Sequence, residues 1–251
     1  MERIKTIVVV GHENSGSFHL FRTILNNFPE ADFTLVVTTG LYYRRTLIGS
    51  IWKLLKESSV LFCAVRFAEL VRYRLGRHTM RCECKRRGIR VITTRDINAP
   101  EIIAGLKVIR PDLLVSIYTM HIYRSDVLAI PRFGAIGCHP SIFPNYRGLE
   151  VFFWAMANNE GTTGVSIFEI ARKVDAGRVL REQVLQIRPE QTMNDVYRMV
   201  TECAGRLLVA AIHDVDKDQV TYRTPEGAGQ YYPMPTREAV RRFLRSGKRF
   251  F

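Results

Sequence analysis

Read for the spacing of its apolar positions, the chain opens with a continuous apolar run at 4–10 closed by Gly11, and carries a second at 33–39 closed by Gly40. Between them, apolar residues at 18, 20, 21, 24 and 25 repeat at helical spacing, which predicts a strand, helix, strand unit. Two basic amphipathic helices follow at 45–57 and 60–85, then extended pieces at 89–93 and 113–118 separated by a helix at 100–109. Beyond an apolar run at 133–136 and a proline-containing loop, the pattern predicts a helix at 149–158, strands at 163–170 and 178–187, and a helix at 192–216. Thr192 suits the N-cap of that last helix, with Asp195 at its third position. Strands alternating with helices imply an α/β fold, a doubly wound and mostly parallel sheet covered on both faces. Such sheets bind ligands at the carboxyl ends of their strands. What remains, 219–251, holds the turn GAGQYYPMPT and a basic helix at 237–245, and is too small to fold without docking on the core. We expect one main domain over 1–216, with a basic helical insertion at 41–87, and a short docking extension over 217–251.

Composition sharpens this only in places. Of 251 residues, 47% are hydrophobic and 24% charged, which argues against disorder and fibrous repeats. No apolar run approaches the ~20 residues of a membrane helix, and the first is too short for a secretory signal, so the expected location is cytoplasmic, with no membrane partner. The five cysteines are odd in number and scattered, and Cys82-Glu-Cys84 lacks CxxC spacing, so we expect reduced thiols and no metal. The net charge is +13, and residues 41–87 alone hold 12 Lys and Arg against the three acids Glu57, Glu69 and Glu83, a surplus of nine. Charge alone leaves two readings open: a solvated helical surface, or a collar for an anionic ligand.

Two stretches are candidates for chemistry. The loop Gly11-His-Glu-Asn-Ser-Gly-Ser17 fits neither GxGxxG nor GxxxxGK[ST], and reads as a plain turn with a serine cap rather than a phosphate cradle. Residues 137–148, GCHPSIFPNYRG, put His139 at the predicted end of a strand beside a stiff Pro-Ser pair. A lone histidine is by default structural, whereas a strand-end histidine partnered by a carboxylate is a catalyst. The candidate partner is Asp175 in Val174-Asp-Ala-Gly-Arg178, which reads equally as a turn former bonded to its own backbone.

The segment HPSIFPNYRG, then Trp154-Ala155, Thr163-Gly-Val-Ser-Ile167 and Asp175-Ala-Gly177, resembles the core signature of the folate-dependent formyltransferases, in the family's order and with Asp175 36 residues after His139. The likeness extends back through Arg110-Pro-Asp-Leu-Leu-Val115. It implies a Rossmann-like formyltransferase fold and 10-formyltetrahydrofolate as donor, without a metal. An amine attacks the formyl carbon through a tetrahedral oxyanion. His139 would stabilise that oxyanion or shuttle protons, and Asp175 would organise a water and hold the histidine charged. Met120, His121, Ile122, Tyr123, Ser141, Pro144 and Lys173 would border the folate, and Asn145 and Arg147 the acceptor.

Gly137 departs from that signature. Relatives that transfer formyl groups carry asparagine there, whose amide donates to the formyl oxygen. Losing one such donor typically costs ~3 kcal/mol, a factor of ~100 to 1000 in rate. His121 and Asn145 are nearby candidates to compensate, and the folate-hydrolysing domain of formyltetrahydrofolate dehydrogenase also lacks that asparagine. The expected function is an N-formyltransferase acting on the amine of a small molecule, such as an amino sugar or an amino-acid-derived metabolite. The alternatives are a 10-formyltetrahydrofolate hydrolase and a non-catalytic folate- or nucleotide-binding homologue. Only 219–251 stands where a methionyl-tRNA formyltransferase has a further barrel domain, so neither transfer-RNA nor other nucleic acid is an expected partner. The purine-synthesis enzyme acting on glycinamide ribonucleotide has a glycine-serine-asparagine loop where this chain has Gly16-Ser17-Phe18. Tyr231, Tyr232, Phe250 and Phe251 offer an apolar surface for docking on the same chain or in a homodimer.

Overall fold

A computed structural model describes residues 3–39, 47–76, 78–171 and 177–251. The elements run β1 (Thr6–Gly11), α1 (Ser15–Asn27), β2 (Asp32–Thr38), α2 (Leu47–Glu57), α3 (Val60–Leu75), α4 (Met80–Arg87), β3 (Arg90–Thr94), α5 (Pro100–Ile109), β4 (Leu113–Ile117), α6 (Ser125–Leu128) and β5 (Ala135–His139). They continue with β6 (Arg147–Gly148), α7 (Val151–Ala157), β7 (Thr162–Glu169), β8 (Val179–Gln186), α8 (Met193–Lys217), β9 (Tyr231–Tyr232) and α9 (Arg237–Arg245).

The main sheet has the order β3-β2-β1-β4-β5-β7-β8. Its first five strands are parallel, and β7 and β8 add on antiparallel. The strands read as unbroken apolar runs because both faces are covered: Ile7 and Val9 join one core cluster with α1 and α8, while Val8 and Val10 join another with α5. The chain leaves β1 toward β2 on one side and returns through β4 on the other, so the carboxyl ends of β1 and β4 flank the point where strand order reverses.

Two local expectations change. The helix anticipated at 60–85 is two helices, α3 ending at Gly76 and α4 starting under a Thr79 cap whose hydroxyl accepts from Cys82 N–H. A distant residue fixes the break. Glu13, in the loop after β1, accepts from the Tyr73 hydroxyl at 2.6 Å and from Arg81 N–H at 3.1 Å, and Met80 N–H donates to the same Tyr73 oxygen. The cap of α1 is Asn14, whose side chain accepts from Ser17 N–H, and not a serine. Thr192 and Asp195 form the reciprocal capping box expected for α8.

The segment after α8 packs on its own chain. Arg147–Gly148 pairs in parallel with Tyr231–Tyr232, Tyr146 stacks on Tyr232 with centroids 4.7 Å apart, and Trp154 Nε1 donates to Pro233 O. From α9, fully buried Phe243 meets Phe153 and Phe250 at 5.1 Å each, and Arg242 donates to Ala157 O. Tyr231 and Phe251 stay exposed. Phe243→Ala should lower the unfolding free energy in urea melts by about 3 kcal/mol or more, the cost of an aromatic cavity. A loss near zero would mean that the extension adds nothing to the core.

Candidate active site

His139 is the last residue of β5 and is only 7% exposed. Residues two apart on a strand share a face, so Ala135, Gly137 and His139 point the same way. The ring stacks on Phe143 at 4.8 Å, and Nε2 lies 2.9 Å from the carbonyl oxygen of Tyr146. A carbonyl can only accept, so Nε2 is the donor in this contact. The loop that supplies this carbonyl is stitched from within. Ser141 Oγ donates to the Asn145 and Tyr146 carbonyls, and Ser166 Oγ accepts from Phe143 N–H while donating to Ser141 O. The adjacent Cys138 is no rival nucleophile, since burial pushes its thiol up to about 12.

Gly137 sits directly opposite Phe168 in the antiparallel β5/β7 pair. A Cβ added to Gly137 would stand 3.2 Å from Phe168 Cζ and 3.4 Å from Ile170 Cγ1. A side chain at this position would therefore crowd the phenyl ring, which would have to give by a few tenths of an ångström and donates nothing itself. Phe168 packs edge-on against Phe143 at 5.0 Å, and Phe143 in turn against His139, so one apolar stack backs the imidazole.

At the strand-order reversal, His12 follows β1 and His121 follows β4, their ring centroids 6.1 Å apart. Pattern reading could not pair them, because β1 and β4 are adjacent only in space. His12 Nδ1 donates to Thr38 O at 2.7 Å, and Nε2 is buried without a hydrogen-bond partner. Burial lowers the His12 pKa, against the Thr38 bond. Burial likewise lowers that of His121, with help from His12 and against Asp96, to about 4. The stretch after β4 is clamped by Asn98, whose side chain donates to Ile122 O and accepts from Arg124 N–H, a role no sequence signal marked. Here Met120 and His121 are half-buried and Ile122 is 45% exposed. Tyr123 instead turns into the core and donates to Ser116 Oγ at 2.8 Å, so it supports the loop from behind.

Sequence reading also missed a half-buried ionic cluster beside the first turn of α1. Arg66 of α3 pairs with Glu69 and with Glu150 ahead of α7, and lies 4.9 Å from the Tyr197 ring centroid. Burial alone would lower the Arg66 pKa, but Glu150, Tyr197 and Glu69 raise it well above its usual range. Burial also raises that of Glu150, against Arg66. A Cβ on Gly16 would lie 2.1 Å from the Tyr197 hydroxyl, so Tyr197 packs where a larger residue at position 16 would reach.

The remaining expected positions divide. Asp175 and Lys173 lie outside the described residues. Pro144 backs onto the turn at Gly229, and Asn145 is exposed. Arg147 donates to Ala228 O and so braces the extension. Two surface clefts, one lined by Lys107, Arg110 and Arg132 and the other by Asp32, Arg87 and Arg90, open at the amino ends of the strands, away from His139.

Against known proteins, the family described as formyl transferase matches residues 74–212, over half of the chain. The bifunctional polymyxin resistance protein ArnA of Wigglesworthia glossinidia brevipalpis is 29% identical over 132 residues, 53% of this chain and 20% of that protein, so this chain spans about a fifth of that relative's length. A sugar N-formyltransferase from Shewanella sp FDAARGOS_354 has a similar structure, with a TM-score of 0.62 at 15% identity, covering 96% of this chain and 87% of that one. So does an N-formyltransferase from Helicobacter canadensis, solved with folinic acid and dTDP-3-aminofucose, with a TM-score of 0.59 at 14% identity over 95% and 79% of the two chains.

The histidine pair sets an acid limit on the fold. A histidine whose pKa falls on folding binds fewer protons folded than unfolded between the two values. For His121 that window runs from the ordinary 6.5 down to about 4, so stability is full above it and falls as pH drops through it. The melting temperature should decline from pH 7 to 4.5, and His121→Asn should flatten the decline. An unchanged slope in that variant would place the acid sensitivity elsewhere.

Proposed function

Because the chain belongs to the formyl transferase family, we propose that it moves a formyl group from 10-formyltetrahydrofolate to the amine of a small molecule, an amino sugar being the acceptor class we favour. The observation that carries this reading is His139, buried at the carboxyl end of β5 with Nε2 held 2.9 Å from the Tyr146 carbonyl oxygen. The donor and the acceptor class draw support from the structural likeness to the Helicobacter canadensis enzyme solved with folinic acid and an aminofucose nucleotide, and to the Shewanella sugar N-formyltransferase.

On this reading the amine nitrogen attacks the formyl carbon, a C–N bond forms and the carbonyl becomes an oxyanion. When the oxyanion collapses, the bond from carbon to the folate N10 breaks. The acceptor nitrogen gives up a proton, and N10 takes one. His139 is the proton carrier between them and, when charged, the positive group beside the oxyanion. Asp175 is assigned the role of holding that charge, and Met120 and His121 would line the folate side. Position 137 supplies no side-chain donor to the oxyanion, and a side chain there would crowd Phe168.

The same gap favours a second reading, hydrolysis, in which water replaces the amine. Incubation with 10-formyltetrahydrofolate, with and without amino-sugar nucleotides, separates the two. We expect formyl transfer that depends on the amine, with little formate released in its absence. Formate release at a rate insensitive to amines would establish the hydrolase. The Phe168 argument adds a paired expectation: Gly137→Asn alone lowers the rate through crowding, while Gly137→Asn with Phe168→Ala turns over at least about tenfold faster than the single variant, as a restored oxyanion donor should. Equal rates would mean that position 137 does not face the reacting carbon.

A further inference from the structure

Helix α3 has two apolar faces and covers only one. Phe62 and Val65 are buried in the core, and Arg66 turns inward to Glu69 and Glu150. On the opposite side, residues 60, 64, 67, 71 and 75 follow one another at spacings of three and four, and 61 and 68 widen the same stripe. Every one is apolar and exposed: Val60, Leu61, Ala64, Phe67 at 67%, Ala68, Val71 and Leu75 at 77%. Exposed Arg72 and Arg74 border the stripe on its two sides. The preceding helix α2 also exposes Trp52, at 66%, with Lys56 Nζ 5.4 Å from its ring centroid.

An apolar stripe that a folded protein leaves in water marks a docking face. Against the expectation of no membrane partner drawn from the length of the apolar runs, we propose that the α2–α3 face docks on an anionic lipid surface, with the stripe and Trp52 entering the acyl boundary while Lys56, Arg72 and Arg74 meet the headgroups. Charge complementarity selects this occupant. The exposed cations Lys56, Arg72 and Arg74 stand beside these apolar positions, and cations at the margins of an apolar helical face are the pattern of helices that lie in a membrane interface. A second copy of this chain would set these cations against their like. A nucleic acid would satisfy the cations and leave the stripe in water. No helix among the described residues is long and apolar enough to cross a membrane, which fits a helix lying on the surface.

The test uses the full chain with vesicles of phosphatidylcholine alone or of equal parts phosphatidylcholine and phosphatidylglycerol. We expect co-sedimentation with the anionic vesicles only, weakened by high salt, and a blue shift of tryptophan emission on binding that is absent in Trp52→Phe, the other tryptophan, Trp154, being buried. Phe67→Ser with Leu75→Ser should weaken binding about tenfold or more with the melting temperature held, since both side chains point into water. Arg72→Gln with Arg74→Gln should weaken it while removing less of the emission shift. Equal binding to neutral and anionic vesicles, binding unchanged in the serine variant, or a dimer in sedimentation equilibrium that the serine variant dissociates would overturn the proposal.

Discussion

The hydrogen bond between His139 Nε2 and the Tyr146 carbonyl joins the parts of the molecule that have to agree. It fixes the imidazole at the end of β5, and its acceptor belongs to a loop tied back on itself through Ser141 and Ser166. Tyr146 also stacks on Tyr232, and the next two residues pair with the strand that carries Tyr232. The extension after α8 therefore helps to set the histidine. Its burial of Phe243 against α7 ties the extension that carries Tyr232 to the core.

The same neighbourhood explains the bare glycine. In the β5/β7 register Gly137 faces Phe168, and the phenyl ring uses the room that the missing side chain leaves. The backing of His139 is aromatic throughout, through Phe143 to Phe168. The glycine thus goes with an apolar, aromatic wall behind the imidazole. Such a wall strengthens whatever electrostatic interaction the imidazole makes.

Much of this was legible in the sequence, where the determinants are local. Helices α5 and α9 fall at their expected bounds because a proline start and strong periodicity define them, and Thr192 with Asp195 announced the capping box of α8. The inner strands β1 and β4 showed as apolar runs because both of their faces are buried. What escaped depends on distant partners. The α3/α4 break needs Glu13, the histidine pair needs β1 beside β4, and the ring over Gly137 needs the β5/β7 register. Strands β6 and β9, two residues each, are too short to carry a period. The motif located His139 and left open what stands around it, and that surrounding geometry is what bears on whether Gly137 changes the chemistry.

The central claim is that His139 carries the proton traffic of a formyl transfer. The direct measurement is the rate at which labelled formyl passes from 10-formyltetrahydrofolate to an amino-sugar nucleotide in the wild type and in His139→Ala, both shown by circular dichroism to be folded. The account predicts a loss of at least about a hundredfold in kcat, the scale of a positioned acid-base group, with donor binding retained. Transfer at the wild-type rate in the alanine variant would contradict it.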